Sequence, residues 1–262
     1  NNISLDLTLK NGQFAKQSFD DFYISALYKD ETIFLEEMTL TDGDKTAFQV
    51  FGRFPLLADS TKIKIVDFQS NFKNIDLTFF TQFIPRWEPY VFGKFTGTFN
   101  MSGSTQKTSM SIDANIKDAI FRKIPLGLVK VSGLYNSKKL VIKDFSSEWN
   151  GNYINGSATL PIDFDIASPN INKWDSNGKI IVKTDGTFKS LVFLSENIAQ
   201  TDSITGDISI SLNINGPKEK LVRDGSINIK NGKIYTILID EPIRNISASA
   251  KIEKNKMSID SF

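Results

Sequence analysis

The sequence predicts an all-β chain built from long antiparallel strands. Apolar and polar residues alternate over most of the chain, for example over residues 208–214, and a strand that is half-buried on one face requires this period of two. Helical periodicity is nearly absent, and only the apolar stretches 79–92 and 192–203 are predicted to be helical or irregular. Residue pairs that favour turns separate the alternating runs: Asn11-Gly12, Asp42-Gly43, Asn150-Gly151 and Asn231-Gly232.

The strands belong to an internal repeat of about 110 residues. Gly12 matches Ala119 at a shift of 107, and the match continues without a gap for about thirty residues. Gly93 matches Gly206 at a shift of 113, which continues through Gly103 and Gly216. The sequence therefore predicts one continuous repeat array over residues 1–262, with units at about 1–92, 93–205 and 206–262. Since the array opens and closes on strand patterns, we expect a segment of a longer protein.

Three copies of one apolar triplet predict a bend in the sheet. Its members are Ile33/Leu35/Met38, Leu140/Ile142/Phe145 and Met257/Ile259/Phe262. Strict alternation would place the third apolar residue of each triplet on the wrong face. An extra residue in a β-bulge restores the face and increases the twist, so the triplets predict three bulges.

The composition excludes several classes of function. Histidine and cysteine are absent, and the formal net charge is +1. Without histidine there is no Ser–His or Cys–His nucleophile and no common zinc or iron site, and a near-neutral chain does not indicate a nucleic-acid partner. No apolar run approaches the roughly 18 residues of a spanning helix. We therefore expect no enzyme, no catalytic residue, no metal, no cofactor and no nucleic-acid partner.

Acidic residues that stand close together in the sequence are predicted to be surface charge. Asp20-Asp21 and Glu36-Glu37 are adjacent on strands, where neighbouring side chains point to opposite faces. Asp42-Gly43-Asp44 begins like a calcium loop but lacks the further ligands, so it is predicted to be a hairpin turn. Asp163 and Asp165 share one face of a possible strand without a third ligand.

The repeat resembles a known family. Its last copy has a glycine-led strand over residues 206–217 that ends in Asn-Gly-Pro, a second strand from Gly225 to an Asn-Gly pair at 231–232, and a hairpin opened by Glu-Pro at 241–242. The middle copy follows the same order over residues 116–145 and continues into Trp149-Asn-Gly. This string resembles the repeats of TamB and the wider AsmA-like family of diderm bacteria.

The resemblance implies a fold, a location and partners. The fold would be a long sheet folded into an open, taco-like trough with an apolar concave face. The protein would lie in the periplasm or cell envelope, anchored in the inner membrane, and would carry phospholipid between the inner and outer membranes. Its partners would be phospholipid acyl chains and, through a C-terminal region that this segment is not expected to include, an outer-membrane barrel protein of the BamA/TamA type.

Pattern alone favours a covered face, as in a β-sandwich core, whereas the resemblance favours an open groove. The recurrent apolar positions are the candidate lipid-groove residues: Leu5, Leu7, Leu9, Ile33, Leu35, Phe95, Phe99, Met101, Ile112, Ile116, Leu140, Ile142, Ile208, Leu212, Ile214, Ile227, Ile229, Met257 and Ile259. Two alternative functions stay open at this point. One is a chaperone-like trough for outer-membrane β-barrel assembly, and the other is a tandem Ig-like adhesin or stalk.

Overall fold

The computed structural model describes residues 2–14, 17–43, 45–56, 63–81, 90–163, 174–175, 178–191 and 201–261. Over these residues, fifteen strands form one antiparallel sheet, and each strand pairs only with its neighbours in sequence. The sheet does not close on itself, since β1 and β15 stand at its two edges. The predicted fold class, an all-β chain with a long antiparallel sheet that forms an open trough, is confirmed.

Most of the strands are long. Their bounds are β1 Ile3–Phe14, β2 Gln17–Lys29, β3 Thr32–Asp42, β4 Lys45–Pro55, β5 Ile65–Asp76, β6 Val91–Ser104, β7 Thr108–Phe121, β8 Ile124–Asn136, β9 Lys139–Trp149, β10 Asn152–Leu160, β11 Lys179–Ser190, β12 Thr201–Pro217, β13 Val222–Thr236, β14 Ile239–Glu253 and β15 Lys256–Ser261. A four-residue helix, α1 (Thr78–Thr81), follows β5, and a 3-10 turn (Lys218–Lys220) follows β12. Among the described residues, no helix is long and apolar enough to cross a membrane.

The two stretches predicted to be helical or irregular are only partly described. Of the stretch 79–92, residues 79–81 belong to α1, residues 91–92 belong to β6, and residues 82–89 lie outside the described residues. Of the stretch 192–203, residues 192–200 lie outside them, and residues 201–203 are strand rather than helix. There the prediction is wrong, because pairing of β12 with β13 overrides the local preference. The unit boundaries at about 1–92, 93–205 and 206–262 stay a prediction.

The sheet has one apolar and one polar face. In the first strands, paired residues on one face are Leu9, Phe22, Leu40, Phe48 and Phe72. Their neighbours in sequence point to the other face and are largely polar, as the alternation of half-buried and exposed residues along β6 illustrates. Apolar side chains therefore line the inner face of the trough, and charged and polar side chains line the outer face.

The three predicted bulges are confirmed. In β3, Ser25 pairs with Glu37 and Ala26 with Leu35, so Glu36 is the extra residue. The corresponding extra residues are Lys143 in β9 and Asp260 in β15, while Phe262 itself lies outside the described residues. In β3 and β9 the bulge returns the next apolar residue, Met38 or Phe145, to the inner face, and this explains the triplet spacing.

Two of the four predicted turns are wrong. Asp42-Gly43 and Asn150-Gly151 stand at hairpin turns, as predicted, although Asp44 lies outside the described residues. Asn11-Gly12 and Asn231-Gly232 instead lie inside β1 and β13. Asn11 has a φ of 52° and Asn231 a φ of 53°, so each places a left-handed residue within a continuing strand. Asparagine tolerates this conformation in bulges and in turns alike.

Two glycines face bulges inside β7 and β13. Gly93 in β6 and Gly206 in β12 have φ values of 137° and 142°, a region that is essentially restricted to glycine. A Cβ on Gly206 would stand 2.9 Å from the Cα of Gly232, and a Cβ on Gly93 3.2 Å from the Cα of Ala119. The left-handed residue beside Ala119 is Asp118, with φ 51°. Alanine at 119 is therefore buried without strain, and it does not weaken a turn.

Candidate functional site

The structure places all nineteen candidate groove residues on the inner face. Residues paired across neighbouring strands share a face, and the chain of pairs connects Leu7 in β1 to Ile214 in β12 and Leu9 in β1 to Met257 in β15. Three of the nineteen, Leu35, Phe95 and Ile208, are buried by neighbouring side chains. The inner face is thus continuous but not uniformly accessible.

The first part of the inner face is filled by phenylalanine rings. Phe48 is 1% exposed, and its ring centroid lies 6.1 Å from that of Phe72 and 5.6 Å from that of Phe79. Phe80 contacts Phe72 and Phe95, each at 5.2 Å between centroids. We call this the filled face: Phe19, Phe22, Leu40, Phe48, Phe72, Ile75 and Phe95, covered by Leu77, Phe79 and Phe80.

A carboxylate anchors the segment that covers the filled face. Asp76 accepts hydrogen bonds from the backbone N–H of Thr78 at 3.0 Å and from its hydroxyl at 2.8 Å, and Lys94 Nζ lies 3.1 Å from its other oxygen. Burial, the largest influence, raises the pKa of Asp76, but the hydrogen bonds from Thr78 and Lys94 together outweigh it. The pKa of Asp76 therefore lies below its ordinary value, and the charged form is favoured.

Among the residues that the structure describes, no side chains fill the last part of the inner face. Residues 201–261 contain no phenylalanine. Most of their inner side chains are isoleucine, leucine, alanine and glycine, and most of these are half-buried; the exceptions include Met257 and Arg223, which stand opposite Ile252 and Ile214. Met257 and Ile259 are 67% and 69% exposed. We call this the open face: Ile210, Leu212, Ile214, Ile227, Ile229, Ala248, Ala250, Ile252, Met257 and Ile259.

A small cluster closes one end of the open face. Phe188, Leu191 and Ile208 are buried together, and the ring of Trp149 meets that of Phe188 at 6.0 Å between centroids. The open face therefore has a packed end near β9 and β11 and a progressively exposed end towards β15.

An ion pair beside each part of the inner face recurs with its charges exchanged. Lys94 pairs with Asp76, and at a shift of 113 Asp207 pairs with Lys189. The hydrogen bond from Lys189, followed by that from Asn231 at 3.2 Å, holds the pKa of Asp207 below its ordinary value. At each of the two positions the charge is opposite in the two copies, yet both copies retain the ion pair. The pair itself is therefore part of the repeat.

The described acidic residues that the sequence singled out are surface charge, with one correction. Glu36 and Glu37 do not point to opposite faces, because the bulge turns both to the polar face. There Ser25 Oγ donates to Glu36 at 3.3 Å, and Gln49 Nε2 donates to Glu37 at 3.5 Å. The sequence signal for this was present, since the triplet that predicts the bulge spans both residues.

The other acidic candidates also have local partners. Asp20 accepts a hydrogen bond from Gly43 N at 2.6 Å, Asp21 lies 3.9 Å from Lys10 Nζ, and Asp163 pairs with Lys138 at 2.9 Å. Asp165 lies outside the described residues. In the part of the chain that the structure describes, no group of three or more acidic residues could hold a metal ion.

The polar face carries a shallow hollow of about 620 Å³. Its charged lining is balanced, with three aspartates and three lysines: Asp113, Asp144, Asp185, Lys130, Lys143 and Lys183. Such a lining has no net charge to select an ionic ligand. The inner face is therefore the better candidate for a functional surface.

The fold and the inner face define an open-sheet, all-β repeat protein with a one-sided apolar trough. Comparison of the chain with protein-family models, with curated protein sequences and with solved structures found no match. The single sheet with strands in sequence order differs from an Ig-like sandwich, in which two sheets are joined by Greek-key connections. The predicted site residues did not include Leu77 and Phe80, which cover the filled face, or Ile237 and Leu238, which form an exposed hairpin tip. Each of these is an apolar residue outside the alternating runs, and that is the signal by which the sequence could have indicated them.

Proposed function

We propose that this chain is a segment of a cell-envelope protein that shields lipid acyl chains on its inner face during phospholipid transport between the inner and outer membranes. The observation that carries the proposal is the open face, an apolar surface continuous over several strands without a second layer on it among the described residues. The envelope location rests on the resemblance of the repeat to the TamB and AsmA-like family.

The dimensions of the open face suit an acyl chain. Strands in a sheet are spaced about 4.8 Å apart, so the four strands β12–β15 cover roughly 14 Å across the strands. Each methylene that leaves water for such a surface contributes about 0.8 kcal/mol. This attraction needs no fixed polar partner, and an acyl chain could therefore slide along the face.

The filled face has a supporting role in this proposal. Its phenylalanine rings pack together over β2–β7, and backbone pairing continues from there into the strands that follow. A flat sheet would expose its apolar face to association with other sheets. The filled face covers its own part of the inner face, and the charged outer face stays towards water.

Binding of an acyl probe tests the proposal. The chain is titrated with 11-(dansylamino)undecanoic acid, whose fluorescence rises in apolar surroundings. Ile210→Asp places a carboxylate on the open face, and Ser211→Asp, its neighbour in β12, places the same group on the polar face. We expect Ile210→Asp to weaken binding by roughly tenfold or more, because a buried charge is costly, and Ser211→Asp to leave binding nearly unchanged. Absence of saturable binding, or equal loss in both variants, contradicts the proposal.

A photo-cross-linker in the native envelope distinguishes the client. Benzoylphenylalanine at Leu212 should capture phospholipid, whereas the same residue at Ser211 should not. Adducts of Leu212 with nascent outer-membrane barrel proteins, without lipid adducts, would favour the chaperone-like trough instead.

A further inference from the structure

A second hollow adjoins the hollow of about 620 Å³ on the polar face. It has a volume of about 270 Å³, and serines of β12 and β13 contribute to its lining. The two hollows share Tyr153, Asn155 and Asp185. We call them together the polar groove, which runs across the strands from Asp113 in β7 to Ser226 in β13. At a strand spacing of about 4.8 Å, its length is roughly 29 Å.

The charged groups of the polar groove do not pair with one another. Three aspartates and three lysines line its larger part, yet none of the six forms an ion pair in the part of the chain that the structure describes. Ser132 Oγ donates to Asp144 at 3.4 Å. Elsewhere on the sheet lysine and carboxylate groups do pair, as Lys94 and Asp76 show. The groove therefore presents charged donors and acceptors that are available to a ligand.

The bulge of β9 turns two charged residues into this groove. Ser132 pairs with Asp144, and the next pair along the strands is Gly133 with Ile142, which leaves Lys143 as the extra residue. Lys143 and Asp144 both point to the polar face, and both line the larger hollow. Bulges commonly stand beside functional sites because they re-aim side chains in this way.

A small residue opposite the bulge leaves room for a ligand. Ser157 of β10 stands there, where the register shifts between Gly156 and Ala158. In the first copy, Phe51 of β4 holds the same position opposite the bulge of β3. The middle copy thus has a hydroxymethyl group where the first copy has an aromatic ring. The same backbone arrangement accommodates both side chains.

One aromatic ring is exposed among the polar side chains of the groove. Tyr153 is 41% exposed, and it stands opposite Thr187 of β11 on the polar face. Asn155 and Asp185 form the next pair on that face, about 7 Å along the strands. A sugar ring packs its C–H face on an aromatic ring, while its hydroxyl groups bond to amide and carboxylate groups. An aromatic ring beside an amide–carboxylate pair provides both kinds of contact for one sugar.

We propose that the polar groove binds a neutral glycan, with one sugar ring on Tyr153 and its hydroxyl groups on Asn155 and Asp185. The equal numbers of aspartate and lysine disfavour a ligand of high charge. A hydroxyl group can donate to a carboxylate and accept from an ammonium group, and hydrogen bonds to charged groups are the stronger ones. A glycan therefore suits the unpaired groups of both signs.

The proposal is independent of what the inner face carries. An acyl chain on the inner face lies on the other side of the sheet from Tyr153 and Asp185. Failure of the acyl-binding experiments would leave the glycan proposal unaffected, and the reverse also holds.

Titration with neutral oligosaccharides tests the proposal. The complete chain, labelled with ¹⁵N, is titrated with maltotetraose, cellotetraose and tetra-N-acetylchitotetraose, and its amide shifts are followed by NMR. We expect saturable binding of at least one of them, with the largest shift changes at residues 153–157 and 183–187. Absence of saturable binding for all three overturns the proposal. Binding of O-phosphoethanolamine in their place assigns the groove to a zwitterion and also overturns it.

A matched pair of substitutions tests the location. Ser157→Phe introduces the residue of the first copy into the groove, and Ser102→Phe places the same ring on the polar face of β6, outside the lining of both hollows. We expect Ser157→Phe to weaken glycan binding by at least about tenfold, because the ring fills the space, and Ser102→Phe to leave it nearly unchanged. Both variants should unfold close to the parent chain in a thermal melt. Equal affinities of the two variants overturn the assignment to this groove.

Substitution of Tyr153 tests the stacking contact. Tyr153→Phe keeps the ring and should keep most of the affinity, whereas Tyr153→Ala should weaken binding by at least about fivefold. Glycan binding that is as tight in Tyr153→Ala as in the parent chain overturns the role of the ring.

Discussion

β6 and β12 are equivalent strands of one repeat, yet the faces they form differ. At a shift of 113, Phe95, Phe99 and Met101 in β6 correspond to Ile208, Leu212 and Ile214 in β12. Both strands pair with a bulged neighbour across a glycine at positive φ. The two strands therefore have the same backbone pairing, and their side chains differ in size.

The difference teaches that the two regions share their strand pairing, whereas the filled face owes its packing to phenylalanine rings of several strands and to the covering segment at Leu77–Phe80. Phenylalanine rings from β4, β5 and β6 reach each other and the segment at Leu77–Phe80. Apart from the buried Ile208, most of the isoleucine and alanine side chains on the inner face of β12–β14 stay half-buried. A repeat can thus alternate between support and binding surface without changing its hydrogen-bond pattern.

Truncation on the filled face should have the largest effect. We expect Phe48→Ala to lower the free energy of unfolding by about 3–5 kcal/mol, because it leaves a cavity among packed rings. Ile210→Ala on the open face should cost about 1 kcal/mol, because its side chain is already in contact with water. Denaturant titration measures both, with Phe51→Ala on the polar face as the control. Equal losses for Phe48→Ala and Ile210→Ala would remove the distinction between the two faces.

Substitution of the glycines that face the bulges should have similar effects in both regions. Gly93→Ala and Gly206→Ala should each cost about 2–3 kcal/mol, because both positions have a φ that only glycine adopts readily. Gly133→Ala, where the nearest atom to a new Cβ is 3.3 Å away, should cost less than about 1 kcal/mol. If Gly206→Ala is tolerated while Gly93→Ala is not, the requirement for a glycine opposite a bulge holds in the filled region alone.

The left-handed asparagine of the open region should have a smaller effect. Asn231→Ala should cost about 1 kcal/mol, whereas Asn231→Gly should be nearly neutral. Both variants lose the hydrogen bond from Asn231 to Asp207, so the difference between their unfolding free energies isolates the backbone conformation. A difference near zero would mean that the strand straightens when the asparagine is removed.

The anchor of the covering segment should have the smallest effect, and it should depend on pH. The pKa of Asp76 is lowered in the folded chain, so its stabilisation is present above the unfolded pKa and is lost as the pH falls through the folded pKa. Asp76→Asn should cost about 0.5–1 kcal/mol at neutral pH and progressively less in acid. The measurement is denaturant unfolding of both proteins across this pH range. A loss that persists unchanged in acid would show that the charge is not involved.

Much of the sheet could be predicted from sequence because each signal is local. Alternation predicts the strands, and the triplet around Leu35 predicts the bulge at Glu36, since the spacing records which face each residue occupies. Asn231-Gly232 was misjudged for a physical reason. The left-handed asparagine that opens a hairpin also forms a bulge, and only the pairing of the residues beyond it tells the two apart.

The division of the inner face could not be predicted, because it depends on contacts between distant strands. Phe48 and Ile210 have the same local pattern of alternation. One is buried because Phe72 and Phe79 reach it, and the other is half-exposed because Gly186 and Ile227 stand opposite it.

The order of the strands in the sheet has a consequence for how the chain reaches its final form. Because every strand pairs only with its neighbours in sequence, each closure joins segments that are adjacent in the chain, and the longest connection is the one between Leu160 and Lys179. The loop entropy lost in each closure is small. The sheet can therefore grow one hairpin at a time from whichever end is released first, and no strand needs to wait for a distant partner.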